Sequence, residues 1–300
     1  MASGRPSYPE VPVEAIAVTA GSFAAAMHSP SLSASLRSGV VVSQTESRLR
    51  HVGSGGSLRL VDGQALTVSA VVPDAEIGGY EVALDRSRGA ALHITQTGYV
   101  LVRAAASLKT VTAAVHRILD TRAVRVRRAG VRPFLRAGDD VLPQALVKER
   151  FGEFALRRSA GGFRIDPAWV AAHIQTRQLP VLGAVTCNRA VLADLAAVMT
   201  ELVARKLTGL IDVADFHRDG GCFNPRPLRG GAGELSRHAW GAAIDVNVAA
   251  NPLGAQAHQD ARLITAFADH GLTWGGRWLR PDPQHFEWIG NVTAYTEQPN

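Results

Sequence analysis

In the stretch LSRHAWGAAIDVN, Leu235–Asn247, a carboxylate sits inside an apolar run: Asp245 lies among Ala243, Ile244 and Val246. A carboxylate in an otherwise buried strand is costly unless it is paired or ligates a metal. His238 lies seven residues before it, and on one uninterrupted strand the two would face opposite sides of a sheet. Gly241 supplies the break that lets both converge. A second apolar, aromatic stretch, PDPQHFEW at Pro281–Trp288, carries His285. Two imidazoles and one carboxylate satisfy zinc with three protein ligands and leave a fourth position for water, the pattern of a catalytic rather than a structural site. Hydrolysis then needs a general base. Asp282, followed by Pro283 and three residues before His285, is placed for that if the chain turns just before its strand.

Ser236, His238, Gly241, Ala243 and Asp245 fit an S-x-H-x-x-G-x-A-x-D pattern, and Asp282 with His285 fits a downstream acid-x-x-H element. In this the chain resembles the bacterial cell-wall D-alanyl-D-alanine carboxypeptidase / L-alanyl-D-glutamate endopeptidase family of zinc peptidases. The resemblance extends over about residues 150–300, through DPAWVAAHI, the helix after Cys187 and GLTWGGRW. It implies one zinc held by His238, Asp245 and His285, with Asp282 as catalytic acid/base. It also implies that Arg226, in CFNPRPLRGG, steadies the substrate carbonyl or oxyanion; Arg229 competes for that role. Ser236 is expected to order the loop by hydrogen bonding on the substrate-binding side. The implied substrates are the peptide stems of peptidoglycan, and the implied location is extracytoplasmic. Many carboxypeptidase members have glutamate where this chain has Asp282, and aspartate there is more like the endopeptidase branch. Glu287 shares a strand face with His285 and is either a partner of that ring or a second catalytic acid.

Other readings of the same residues are a cysteine peptidase using Cys222 with His217 or His238, an inactive zinc-containing binding or signalling module, and a domain that zinc merely stabilises. Trp240, Trp274, Trp278 and Trp288 are candidates to line a substrate groove, with core or rim packing the favoured reading for most of them. Cys187 and Cys222 form either a disulfide or two buried thiols, since neither belongs to a C-x-x-C pair.

At 300 residues the chain predicts two domains, divided at 145/146. The fold class is α+β: a strand-rich N-terminal α+β domain, then a small antiparallel-sheet peptidase domain. In the first, SLRLVDGQALTVSAVV alternates on both sides of Asp62-Gly63, a hairpin signal, and faintly resembles the extracytoplasmic domain of permeases of the cell-division and macrolide-export group. ALHITQTGYVLVRA predicts a further strand. Ser107 predicts the cap of a helix striped by Leu108, Val111, Val115, Ile118 and Leu119, after which Val124 and Val126 resume a strand. His28, His51, His93 and His116 lack carboxylates at ligand spacing, so this half carries no visible chemistry. In the second, Asp166-Pro167 opens a helix, and Val191, Leu195, Val198 and Leu202 stripe another that Gly209 ends. IDVADF, GAAIDVNV and HFEWIG predict strands, with a helix marked by Leu263, Ile264 and Phe267 stopping at Gly271.

The net charge of +6 is carried mainly by arginine, at Arg122–Arg128 and Arg132–Arg136 among other places. No helix-turn-helix, ribonucleoprotein or zinc-finger signature accompanies these, so nucleic acid is not the expected partner; an anionic cell wall would attract such a surface, but the favoured reading is a solvated basic surface with no partner. No run approaches the roughly 18–20 apolar residues of a membrane span, and the N-terminal residues do not have the form of a signal peptide.

Overall fold

The computed structural model describes residues 10–94, 100–102, 104–119, 126, 141–159, 162–228 and 234–290. The chain separates into two compact units, one formed by Pro9–Gly138 with Leu142–Glu153 and one formed mainly by Phe154–Asn300.

The first unit is built on a five-stranded mixed sheet. Its elements are β1 (Ala15–Val18), α1 (Ala20–Ala26), α2 (Pro30–Ser38), β2 (Val40–Ser43), α3 (Gln44–Arg50), β3 (Ser57–Arg59), β4 (Ala65–Val72), β5 (Val82–Asp85), α4 (Arg86–Ala91), α5 (Leu108–Leu119) and α6 (Gln144–Phe151). Strand order is β1-β5-β2-β4-β3. The VVV run of β2 lies in the middle and is buried throughout, as a central strand covered on both faces must be. Val41 points to a core with Phe23, Leu32 and Leu36, whereas Val40 and Val42 point to one with Val68, Val82 and Leu84. The Asp62-Gly63 turn joins β3 to antiparallel β4, and Gly63 takes the positive φ of 88° that the turn requires.

Inside this unit lies a group of charges. Lys148 on α6 is fully buried, with Nζ 2.5 Å from Glu81 Oε1 and 3.2 Å from Glu153 Oε1. Glu81 Oε2 also accepts from the backbone N–H of Glu14 and from Gln144 Nε2. α6 thereby closes the first unit, and the second begins its own strands at Leu156, five residues after the helix ends.

Ser107 caps α5 as its position predicts, its Oγ accepting from Thr110 N at 3.2 Å. The apolar stripe is not a core face, however: no residue of α5 is buried and Ile118 is 78% exposed. ALHITQTGYVLVRA is not a strand where it is described. Ala91 ends α4, and Leu92 and His93 turn, with His93 at a φ of 58°. Residues 100–102 belong to no strand. Val126 is in none either, and Val124, Arg122, Arg132 and Arg136 lie outside the described residues.

The second unit contains β6 (Leu156–Ser159), β7 (Gly162–Ile165), α7 (Pro167–His173), β8 (Ile174–Leu179), β9 (Gly183–Asn188), α8 (Arg189–Ala204), α9 (Val213–Asp219), β10 (Ala243–Asp245), α10 (Ala261–Asp269), β11 (Leu272–Trp274) and β12 (His285–Trp288). Asp166 caps α7 and Pro167 takes its first position. Val191, Leu195, Val198 and Leu202 form the buried face of α8. Gly209 does not end that helix. The chain leaves it at Lys206, which adopts a φ of 58° while Leu207 N returns to Leu202 O at 2.8 Å.

IDVADF is helical rather than extended. Asp212 accepts from Asp215 N and starts α9, so a good N-cap outweighs the short alternation. The β8–β9 hairpin was hidden in the sequence because its outward residues are long and polar while its turn is Pro180–Leu182. Strands β10, β12 and β11 make a three-stranded antiparallel sheet with β12 in the centre. Phe286 of β12 stacks on Phe267 of α10, ring centroids 4.0 Å apart, which fastens one face of that sheet to the core. The fold class is α+β, with the small antiparallel sheet near the C-terminus.

Candidate metal centre

Three local devices bring His238 and Asp245 to one place. Ser236 starts a tight turn at Arg237–Trp240 by accepting from His238 N. Gly241 ends it in the left-handed region, at a φ of 62°. A Cβ on Gly241 would lie 2.5 Å from Asn188 N, so both the conformation and the space demand glycine. The chain then enters β10, whose register sets Asp245 directly opposite His285 on β12.

The resulting cluster is tight. His238 Nε2 lies 3.2 Å from Asp245 Oδ1 and 3.2 Å from His285 Nδ1, and His285 Nδ1 lies 3.0 Å from Asp245 Oδ1. Ligand atoms of all three residues fall within 4.8 Å of one another, and among the described residues this is the group of three or more His, Cys, Asp and Glu so arranged. The set suits a metal ion, and the remaining ring nitrogens support that. His238 Nδ1 is 2.7 Å from the carbonyl oxygen of Cys222, to which it donates when Nε2 is left for a metal. His285 Nε2 faces Glu287 Oε2 at 3.4 Å. Each imidazole thus has one nitrogen occupied from outside and one turned inward.

The electrostatics fit the same arrangement. Burial alone would raise Asp245, but the His238 and His285 rings beside it hold its carboxyl far below the usual range. Burial pulls His285 down, yet hydrogen bonds to Asp245 and Glu287 outweigh it and push the ring up to about 10.

Asp282 reaches the centre from a separate turn. Its backbone N–H donates to Gly275 O at 2.9 Å, and His285 N donates back to Asp282 O at 3.1 Å. Gly275 has no room for a side chain, because a Cβ there would meet Asp282 O at 2.7 Å. The Asp282 carboxyl is raised, first by burial; His285, His238 and Arg226 act on it in the opposite sense and Asp245 in the same sense. Its Oδ1 is buried with no hydrogen-bond partner.

Arg226 Nη2 stands 3.7 Å from Asp245 Oδ2, at the rim of the cluster. Arg229, its competitor, lies outside the described residues. Cys222 is bonded to Cys187 in a disulfide, and its neighbour Gly221 bridges Asp245 through two backbone hydrogen bonds, 2.9 and 3.2 Å.

Trp240 and Trp288 are core residues, and the indole of Trp274 donates to Pro283 O. Trp278 differs, its ring centroid lying 5.1 Å from that of His285. Two contributors were not singled out from sequence: the Cys222 carbonyl and Arg237. The first is a backbone group with no side-chain signature. Arg237 could have been suspected, since it sits between Ser236 and His238 in the patterned stretch.

Residues 229–288, which carry His238, Asp245, Asp282 and His285, match the family model described as D-alanyl-D-alanine carboxypeptidase. The cluster therefore lies in a stretch similar to that peptidase family, and the resemblance read from the sequence is supported over these residues. No curated protein and no solved structure matches the chain.

Proposed function

We propose that the second unit is a zinc-dependent peptidase that hydrolyses peptide bonds in peptidoglycan stem peptides, of the D-Ala-D-Ala carboxypeptidase or L-Ala-D-Glu endopeptidase type. The observation that carries this reading is the convergence of His238, Asp245 and His285, within a family-matched stretch, beside a buried carboxyl at Asp282.

His238 through Nε2, Asp245 through Oδ1 and His285 through Nδ1 are the atoms that would hold zinc. Bound there, zinc would supply Lewis acidity that acidifies water and polarises a carbonyl. Asp282 takes a proton from the attacking water and returns it to the leaving amine. Its raised carboxyl suits a group that must do both. Arg226 steadies the carbonyl oxygen as charge develops on it. Ser236 keeps the turn that carries His238 in shape.

The Cys187–Cys222 disulfide removes the thiolate that a cysteine peptidase would need. It also favours an oxidising, extracytoplasmic location. Among the described residues no helix is long and apolar enough to cross a membrane. The first unit we assign to positioning the enzyme on the wall, where the arginine-rich charge of the chain favours an anionic surface.

The test is hydrolysis of purified stem peptides with and without a chelator, reading the cleaved bond by mass spectrometry alongside metal content. One zinc per chain and chelator-sensitive cleavage support the enzyme and identify the bond. Zinc without cleavage would favour a binding module, and cleavage without metal would overturn the proposal.

A further inference from the structure

Glu287 is a buried carboxylate on the central strand of a three-stranded sheet, a position where an acid is costly without a partner. The proposed cleavage does not use it, since it lies behind His285 rather than on the side of Asp245. Alternation along β12 sets it on the same face as His285 and sends Phe286 to the core. One of its oxygens, Oε2, is 3.4 Å from His285 Nε2. The other, Oε1, is 3.4 Å from Arg237 Nε.

Arg237 is only 5% exposed. Its guanidinium carbon sits 5.7 Å from the ring centroid of Trp240, a side chain wholly inside the core. An arginine pinned over an aromatic ring has few alternatives to the geometry it shows. The two partners also bracket the metal ligands along the chain: Arg237 directly precedes His238, and Glu287 follows His285 by two.

An imidazole has two nitrogens, and the hydrogen bond made by one decides which is offered to a metal. The two histidines here are turned in opposite senses. His238 offers Nε2 to the cluster and gives Nδ1 to the Cys222 carbonyl. His285 offers Nδ1 and gives Nε2 to Glu287. We infer that Glu287, steadied by Arg237, is a positioning residue that commits His285 to bind the metal through Nδ1. This rests on the zinc reading above. An ion pair that served only to stabilise the sheet would have no influence on which nitrogen His285 presents.

The experiment uses the full chain and zinc alone, without substrate. Histidine 15N spectra of the zinc-loaded protein give the first readout. His285 should carry its proton on Nε2 and His238 on Nδ1. Zinc affinity, by competition with a chromophoric chelator, gives the second. E287M should weaken zinc by about 10–100-fold, the usual effect of losing an outer hydrogen-bond partner. E287Q, which keeps an accepting oxygen, should fall between E287M and the unchanged protein, and R237M should weaken zinc in the same direction. If E287M does not fold, E287Q and the spectrum of the unchanged protein still decide. A His285 protonated on Nδ1, or folded E287M and R237M that hold zinc as tightly as the unchanged protein, would overturn the inference and leave the metal centre standing. Failure of the unchanged protein to take up zinc would instead remove the metal reading and this one with it.

Discussion

The ring of His238 gives its Nδ1 to the carbonyl oxygen of Cys222 across 2.7 Å, so a disulfide-bonded residue supports an imidazole of the His238–Asp245–His285 cluster through its backbone. The adjacent Gly221 pairs with Asp245. Two of the three clustered side chains therefore lean on a segment that the Cys187–Cys222 bond fastens to β9.

That dependence predicts the effect of removing the bond. Opening a loop of 35 residues should cost about 4 kcal/mol on the chain-entropy account. Loss of the support behind His238 should also weaken zinc by about 10-fold. The double variant C187S/C222S, followed by thermal unfolding and zinc competition, measures both. A folded variant with unchanged zinc affinity would show that the Cys222 carbonyl stays in place without the bond.

Asp282 should separate chemistry from metal binding. The variant D282N keeps the three ligand atoms but cannot take a proton, so it should retain a full complement of zinc and lose about 10²–10⁴-fold in kcat. H238A should instead lose the metal. Near-normal turnover by D282N, with zinc content confirmed, would exclude Asp282 as the acid/base.

Zinc uptake should release a proton. In the metal-free protein His285 is pushed up to about 10, so at pH 7 it is protonated and must lose that proton before Nδ1 can act as a ligand. Affinity should rise by about tenfold per pH unit from 7 towards 10, and calorimetry in buffers of differing ionisation enthalpy should show about one proton released per zinc. The sign for folding runs the other way. A pKa raised from 6.5 to about 10 contributes stability to the metal-free protein that is complete below 6.5 and lost as pH climbs through 10. Zinc affinity that is flat over this range would contradict a shared proton at the cluster.

The site was more legible than the fold around it, for physical reasons. Asp245 inside an apolar run announces itself, because a buried carboxylate needs a partner, and Gly241 marks where the chain reverses. Strong caps were equally readable, at Ser107 and at Asp166-Pro167. What misled was short alternation without regard to caps: IDVADF alternates over a few residues, yet the Asp212 side chain accepts from Asp215 N and caps a helix. Leu108, Ile118 and Leu119 mark a helix correctly but not a buried one, since periodicity gives a face and not what covers it. The Cys222 carbonyl could not be read, because tertiary register alone brings it to the ring it serves; Glu287 was readable as a partner of His285, but its pairing with Arg237 was not.

Lys148 makes the last prediction, in the first unit. It is buried among Glu81, Glu46 and Glu153, with Glu81 nearest at 2.5 Å. Burial pushes Glu81 up to about 7 even with this cation beside it. Removing the cation in K148M leaves the buried Glu81 carboxylate without a cation, while Glu46 and Glu153 keep Arg50, and breaking such a pair on one side costs about 3–5 kcal/mol. Glu81 must then rise further. A pKa raised above the ordinary 4.5 contributes stability below 4.5 that disappears as pH rises through the folded value. K148M should therefore be most destabilised at pH 8 and recover towards pH 5, and K148M/E81Q should regain part of the loss at pH 8. Denaturant unfolding of the three proteins at both pH values measures this. A K148M deficit that does not change with pH would place the cost in packing rather than in the unpaired carboxylate.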